Sequence, residues 1–398
     1  MLSQSVLNLL YSCPPVPHGS DMPQYCQRCI LPDTRPGVLL DTAGICSGCR
    51  HAEAKRDIDW VGRAQAFREV VARAKVQAKS YDCVIPISGG KDSYWQVVTC
   101  LEHGLVPLGV SYVYPKRTAL GEQNLRNLTA LGVDHIELRA DPSIERAFVD
   151  KAFRATGISG LVSHMAIYSW PLQVAVAYNI PLVVYGENSA FEYGSEDESL
   201  TGSQVDDRWL KSFGVTNGTT AADWVDDVLT RKKLSCYFVP DTATLRKRDV
   251  RAIFLGYYFR WDPENSRRIA ASRGFSARAG GARVGHYDFV NIDDDLLGVH
   301  HHPKWHKFGI TRTWDTLSME IRAGRLTRDE AIEGLRQRGD ETPWADIALF
   351  CEYLDISRAE YFRIVEGFRN RDLWTRRDGH WVIEDYLVPD FPWPADPE

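Results

Sequence analysis

Residues 81–93 read YDCVIPISGGKDS, and this stretch decides the fold. The run from Cys83 to Ile87 is short, apolar and partly β-branched, as a buried strand is. Ser88-Gly89-Gly90-Lys91-Asp92-Ser93 then interrupts it, and SYWQVVTCLEHG (93–104) continues as a helix stopped at Gly104. A strand, a glycine-rich turn and a helix in direct succession make an anion cradle. Gly89 and Gly90 let the backbone approach a phosphate, and the helix N-terminus adds favourable potential. Lys91 is placed to neutralise charge on a leaving pyrophosphate, and Ser88 and Ser93 to donate to phosphate oxygens. Asp92 would cap the helix or help hold Mg²⁺. The string differs from Walker A, which needs G-x-x-x-x-G-K-[ST].

Working outward, the strand-type runs VPLGVSYVY (106–114), HIELRA (135–140) and IPLVVYGENS (180–189) alternate with helical patterns. The helices are ALGEQNLRNLTALG (119–132), SIERAFVDKAFRATG (143–157) and HMAIYSWPLQVAVAYN (164–179), the last started or kinked at Pro171. The alternation predicts an α/β fold with a doubly wound parallel sheet. IFLGYYF (253–259) reads as a fifth strand, and residues 57–79 as a helix linking into this domain. Beyond about residue 290 the pattern turns helical, with capping boxes at Thr327–Glu330 and Ser357–Glu360. The proline-rich end, VPDFPWPADPE, is expected to be loosely ordered.

Upstream, Cys26-Gln-Arg-Cys29 and Cys46-Ser-Gly-Cys49 are two C-x-x-C pairs separated by sixteen residues. Each pair aims two thiolates at one point, and together they make a tetrahedral four-sulfur site suited to a structural Zn²⁺ with no open position. Two rivals are weaker. Gly44-Ile-Cys46-Ser-Gly48 fits a glutaminase-type elbow, but no strand precedes it. Cys46-Ser-Gly-Cys49-Arg50 lacks the His that haem attachment requires. The organisation expected is therefore a tail over 1–20, a zinc ribbon over 21–56, the nucleotide domain over 57–260 and a mainly helical substrate region over 261–398.

Composition narrows the class. The 398 residues are 44% hydrophobic and 25% charged, an ordinary globular balance, with nine cysteines. The five outside the C-x-x-C pairs are scattered and odd in number, so a reducing, cytoplasmic compartment fits better than a disulfide framework. Net charge of −6 argues against broad nucleic-acid binding, and no apolar run reaches the ~18–20 residues that span a bilayer.

The S-G-G-K-D-S string resembles the PP-loop of the ATP pyrophosphatase superfamily, which implies cleavage of ATP between its α and β phosphates and transfer of AMP to a substrate oxygen. A wider resemblance covers roughly 300 residues. YCQRCILPDTRPGVLLDTAGICSGCR, YDCVIPISGGKDSYWQ, SHMAIYSWPLQVAVAYNIPLVVYGENSAFEYGS and WHKFGITRTWDTLSMEIRAGRLTRDEAI are similar, in that order, to the bacterial N-acetyl sugar amidotransferases of surface-polysaccharide (O-antigen) biosynthesis. The resemblance implies conversion of an acetamido group on a nucleotide-linked sugar to an acetamidino group, with ATP, Mg²⁺ and Zn²⁺ as cofactors. It implies that Ser111, His164, Gly186, Glu187 and Asn188 border the ATP site. Glu192, Tyr193, Lys307, Arg312 and Asp315 would line the sugar side, with Lys91, Glu187, Lys307 and Arg312 carrying the chemistry. Nitrogen would come from free ammonium or from a separate glutaminase partner pair. His300, His301, His302 and His306 have no matching carboxylate pattern for a second metal and are expected in a ligand-facing or exposed loop.

Two other functions fit the same features. A tRNA-thiolating enzyme of this fold needs a sulfur-carrying Cys pair, which Cys83, Cys100, Cys236 and Cys351 do not form in sequence. A zinc-ribbon scaffold with a dead loop is at odds with the intact S-G-G-K-D-S string.

Overall fold

The strand read at residues 81–87 lies in the middle of a five-stranded sheet. The computed structural model describes residues 22–395 apart from residues 196 and 214. The expected N-terminal tail, with Cys13, lies outside the described residues. The strands are β1 (Cys83–Pro86), β2 (Pro107–Tyr112), β3 (Asp134–Leu138), β4 (Leu182–Tyr185) and β5 (Arg251–Phe254). Their order is β3-β2-β1-β4-β5, and every pairing is parallel.

Both faces of the sheet are covered, which is why its strands read as continuous apolar runs. Cys83 and Ile85 enter one hydrophobic cluster with Phe67 and Val71 of the helix Trp60–Gln77 and with Tyr94 and Val97 of the helix Lys91–Glu102. Val84 points the other way, into a cluster with Leu172, Val174 and Ala175 of the helix Leu161–Tyr178. Each such aliphatic side chain contributes about 1.5–3 kcal/mol by leaving water. Pro171 lies inside that helix and does not start it.

The fifth strand differs from the sequence expectation. It ends at Phe254, and Leu255–Tyr258 form a helical turn. Gly256 N–H donates to Gly186 O at 3.0 Å, and a Cβ on Gly256 would stand 3.2 Å from Glu187 Cα. The chain turns there to close over the end of β4.

The C-terminal region is helical, as expected, but ends differently. Thr327 and Glu330 make the reciprocal capping box, and Ser357 Oγ accepts from the Glu360 N–H. A hairpin follows, Thr375–Arg377 against His380–Val382, with Asp378 and Gly379 at φ 49° and 85°. The proline-rich end is not loose up to residue 393. Val388 and Phe391 are buried, and the Phe391 ring lies 5.4 Å from that of Trp305. Its prolines space out apolar anchors, and burial of those anchors outweighs the mobility expected of a terminus.

The four paired cysteines share one core with Trp305, Trp314, Leu317, Leu335 and Phe391. Thr34 Oγ1 donates to Phe308 O at 2.7 Å, and Arg328 Nε donates to Cys29 O at 3.0 Å. The cysteine segment is therefore packed against the C-terminal helices. Among the described residues, no helix is long and apolar enough to cross a membrane.

Candidate active site

Strand order reverses at β1, with β2 on one side and β4 on the other, so the loops after β1 and β4 part and leave a crevice at their carboxyl ends. A cavity of about 260 Å³ occupies it. Ser88, Asp92 and Ser93 line it from the glycine-rich turn, Ser111 from β2, and Gly186 and Glu187 from the end of β4. The turn is braced internally. Ser93 Oγ accepts from the Ser88 N–H at 3.0 Å, and Ser88 Oγ from the Gly90 N–H at 3.3 Å. The helix Lys91–Glu102 begins at Gly90 with no side-chain cap, so Asp92 is not the cap that the sequence allowed.

Gly89 has φ +88°, and a Cβ there would lie 2.7 Å from Gly121 O and 2.8 Å from Leu125 N. Both contacts are backbone and cannot step aside. Gly89→Ala is expected to cost about 1–3 kcal/mol, read as a lower midpoint in urea melts. An unchanged midpoint would refute this account of the turn.

Lys91 is buried, with its Nζ 2.5 Å from Asp92 Oδ2 and the Trp261 and Phe289 rings 5.7 and 5.9 Å away. Burial works against its charge, but Asp92 and, farther off, Glu187 outweigh that and raise its pKa. It is not on the wall of the cavity. It backs Asp92, whose other oxygen accepts from Trp261 Nε1 at 2.9 Å. Glu187 is pushed up to about 7 by burial and by Asp92, against the pull of Lys91.

A second cavity, about 700 Å³, meets the first along a wall made by Tyr114, Ile167, Glu187 and Ser189. Its floor is a cation cluster. Asp315, 1% exposed, holds Arg35 Nε at 2.6 Å, Lys304 Nζ at 3.3 Å and Arg312 Nη1 at 3.4 Å. Arg312 Nη2 also approaches Tyr193 OH at 3.4 Å, and both guanidinium groups lie 5.7 Å from the Tyr193 ring. Around Asp315 three cations meet one carboxylate, a local positive excess suited to an anion, while Glu187, Asp197 and Asp293 line other parts of the same cavity. Burial lowers Lys304 to about 8, with Asp315 resisting and Arg312 and Arg35 adding to the fall. Arg312 Nε has no hydrogen-bond partner.

Of the residues expected on the sugar side, the structure brings Tyr193, Arg312 and Asp315 together. It does not bring Lys307 or Glu192. Lys307 Nζ points away to Thr156 O and the Phe368 ring, while Lys304, one helical turn earlier, takes the place at the cavity. Glu192 is buried in an ion pair with Lys55. Asn188, expected at the nucleotide, is saturated by structural bonds. Its amide donates to Leu200 O and Gly202 O, and its oxygen accepts from Ala190 N–H and Trp209 Nε1. His164 lies on the larger cavity, bonded to Gly160 O at 2.7 Å and stacked on His300 at 5.5 Å. The histidines of 300–306 are not in an exposed loop. His300, His301 and His306 sit in the helices Leu297–His301 and Pro303–Phe308, His302 is the capping residue between them, and His300 and His301 line the larger cavity.

Sequence reasoning missed Lys304 and Arg35. Helical spacing could have found the first, since 304 and 307 lie a turn apart on one helix. Nothing in sequence announces Arg35, which reaches the cavity only because the chain between the two C-x-x-C pairs folds onto it.

The four cysteine sulfurs lie within 4.8 Å of one another, with Cys29–Cys46 at 3.6 Å and Cys26–Cys49 at 3.9 Å. A tetrahedral zinc with Zn–S of about 2.3 Å sets sulfurs about 3.8 Å apart, so the set fits that ion. Backbone N–H groups of Cys29 and Cys46 approach Cys26 Sγ at 3.4 and 3.3 Å. Arg322 Nη2 stands 3.5 Å from Cys46 Sγ, in space that Gly48 leaves open, since a Cβ there would meet the guanidinium at 2.5 Å.

Residues 282–387 match the family described as LPS biosynthesis protein WbpG-like, C-terminal domain. This region is thus similar to that C-terminal domain. It supplies His300, Lys304, Arg312 and Asp315 to the larger cavity and Arg322 to the cysteine cluster. The match spans about a quarter of the chain, and the glycine-rich turn and the cysteine pairs precede the WbpG-like domain. No curated protein matches the chain. Among solved structures, NMN synthetase from Francisella tularensis aligns with 54% of this chain and 96% of its own, at 13% identity and a TM-score of 0.27.

Proposed function

We propose that this protein is an ATP-dependent, AMP-forming amidotransferase of lipopolysaccharide biosynthesis that turns an acetamido group of a nucleotide-linked sugar into an acetamidino group. The observation that carries the reading is the junction at Glu187, where a phosphate-type turn at a sheet switch point faces a large cation-floored cavity. The WbpG-like domain supports the pathway, and the resemblance of the S-G-G-K-D-S turn to a PP-loop supports the use of ATP.

ATP lies in the smaller cavity, with its phosphates on the open N-terminus of the helix Lys91–Glu102 and on Ser88 and Ser93. Asp92, on the wall of that cavity, would hold a Mg²⁺ carried by the triphosphate, which would neutralise phosphate charge there. The nucleotide sugar lies in the larger cavity, its diphosphate on Lys304 and on Arg35 and Arg312, whose planar guanidinium groups suit phosphate oxygens. This binding sets the acetamido group at the junction. Its oxygen attacks the α-phosphorus and pyrophosphate leaves. Ammonia then attacks the activated carbon, AMP departs with the oxygen, and Glu187, near neutrality, takes a proton from the incoming nitrogen. Cys26, Cys29, Cys46 and Cys49 would hold a zinc whose role would be structural, fixing the segment that carries Arg35.

The test is incubation with ATP, ammonium and a panel of acetamido nucleotide sugars, read by mass spectrometry. One sugar is expected to become about one mass unit lighter as O is replaced by NH, with AMP and pyrophosphate released. Lys91→Ala, which takes from Asp92 the cation that positions it, is expected to lower that rate by about 100-fold. Undiminished turnover of the variant, or AMP release with every sugar unaltered, would overturn the reading.

A further inference from the structure

Beside the larger cavity lies a small, partly open chamber of about 30 Å³, room for one or two molecules the size of water. It shares Tyr114, Ser163, Leu297 and His300 with the wall of the larger cavity. Two buried carboxyls face it, Glu145 and Asp294, 6% and 9% exposed. Among the described residues neither has an ion-pair partner. Glu145 accepts from Tyr112 OH, and Asp294 Oδ1 accepts from the Leu296 N–H at 3.0 Å. Two further polar atoms of the chamber's residues, Tyr353 OH and His300 Nδ1, are shielded from solvent and have no hydrogen-bond partner.

Four polar groups around a space this small leave hydrogen bonds that the protein itself does not make. Buried, unpaired carboxyls are costly unless they take a proton or a cation. Burial and the neighbouring Asp294 raise Glu145 to about 8, and burial raises Asp294 to about 7, so both stand ready to exchange a proton near neutrality. A guest that satisfies the set is small, donates several hydrogen bonds and carries positive charge.

We infer that this chamber binds ammonium and is where the nitrogen nucleophile waits before amination. The inference rests on the reading of the protein as an amidotransferase. Ammonium in the chamber gives one proton to the Glu145 carboxylate and becomes ammonia. Ammonia passes the Ser163–His300 wall, and its lone pair forms the C–N bond as the C–O bond to AMP breaks. The Glu145 proton returns to solvent before the next ammonium enters.

Two measurements decide it. Crystals soaked in thallium(I), a cation of ammonium size, are expected to show an anomalous peak between Glu145 and Asp294. A peak elsewhere only, or water alone in the chamber, overturns the inference without any variant or any turnover. With ammonium as nitrogen source, Glu145→Gln is expected to raise the KM for ammonium by about tenfold or more while the KM for ATP moves by less than about twofold. An unchanged ammonium KM, or equal rises in both, overturns it. If no acetamido sugar supports AMP release, the proposed function falls, and the thallium result still decides whether the chamber takes such a cation.

Discussion

Stripping the zinc that the four cysteines are suited to hold is expected to unfold the segment around them and, on the function proposed above, to abolish sugar-nucleotide binding. Zinc contributes about 10–16 kcal/mol to the folding of small cysteine modules, against a total stability of about 5–15 kcal/mol for a typical domain. Here the cysteines share a core with Trp305 and Trp314, so their release opens that core as well. Arg35, between the two pairs, leaves Asp315 and the cavity floor. The residues of the smaller cavity lie on the sheet and its loops, so affinity for ATP is expected to fall less than affinity for the sugar nucleotide. Metal analysis, scanning calorimetry and parallel titrations with the two ligands measure this. A protein freed of zinc that melts at the same temperature and binds the sugar nucleotide as before would refute the assignment.

Asp315→Asn is expected to destabilise the fold by about 3 kcal/mol, the low end of what breaking a buried ionic cluster costs, because the cavity admits water to the cations left behind. Arg35, Lys304 and Arg312 would then face one another with nothing between them. Burial alone would raise the Asp315 pKa, but Arg35, Lys304 and Arg312 overcome it and hold the carboxyl well below the usual range. The sign follows from that depression. The stabilisation is fully present above the unfolded carboxyl pKa of about 4 and is lost only as pH falls through the lower folded value. Urea melts of the two proteins at neutral pH should differ by this amount. If the variant is as stable as the parent, the cluster is not a cohesive element.

Much of this was legible in the sequence because it is local. β1, the glycine-rich turn and the next helix are contiguous, and strand–helix alternation fixed a parallel sheet before any coordinate was known. The cysteine pairs were legible by spacing. The terminal hairpin was there to be read as well, since Asp378-Gly379 is a strong two-residue turn signal. Its three-residue strands, however, are too short to give a periodicity. The sugar side was legible only in part, since it gathers residues from remote segments. Arg35 and Asp315 meet across 280 positions, and no period links them. Glu192 and Asn188 sit where a ligand contact was expected, yet Lys55 and Trp209, both distant in sequence, claim them. Whether a polar side chain serves the fold or the ligand depends on partners that a linear reading does not place.

The helix Arg312–Arg322 has Asp315 and Arg312 near one end and, ten residues along from Arg312, Arg322 against the sulfurs. At about 1.5 Å per residue it is a rod of about 16 Å, stiff along its axis because every turn is hydrogen-bonded to the next. Strain at either end is handed on instead of being soaked up by a loop. The anion floor and the sulfur knot therefore share one mechanical frame, and a shape change imposed at one must be accommodated at the other.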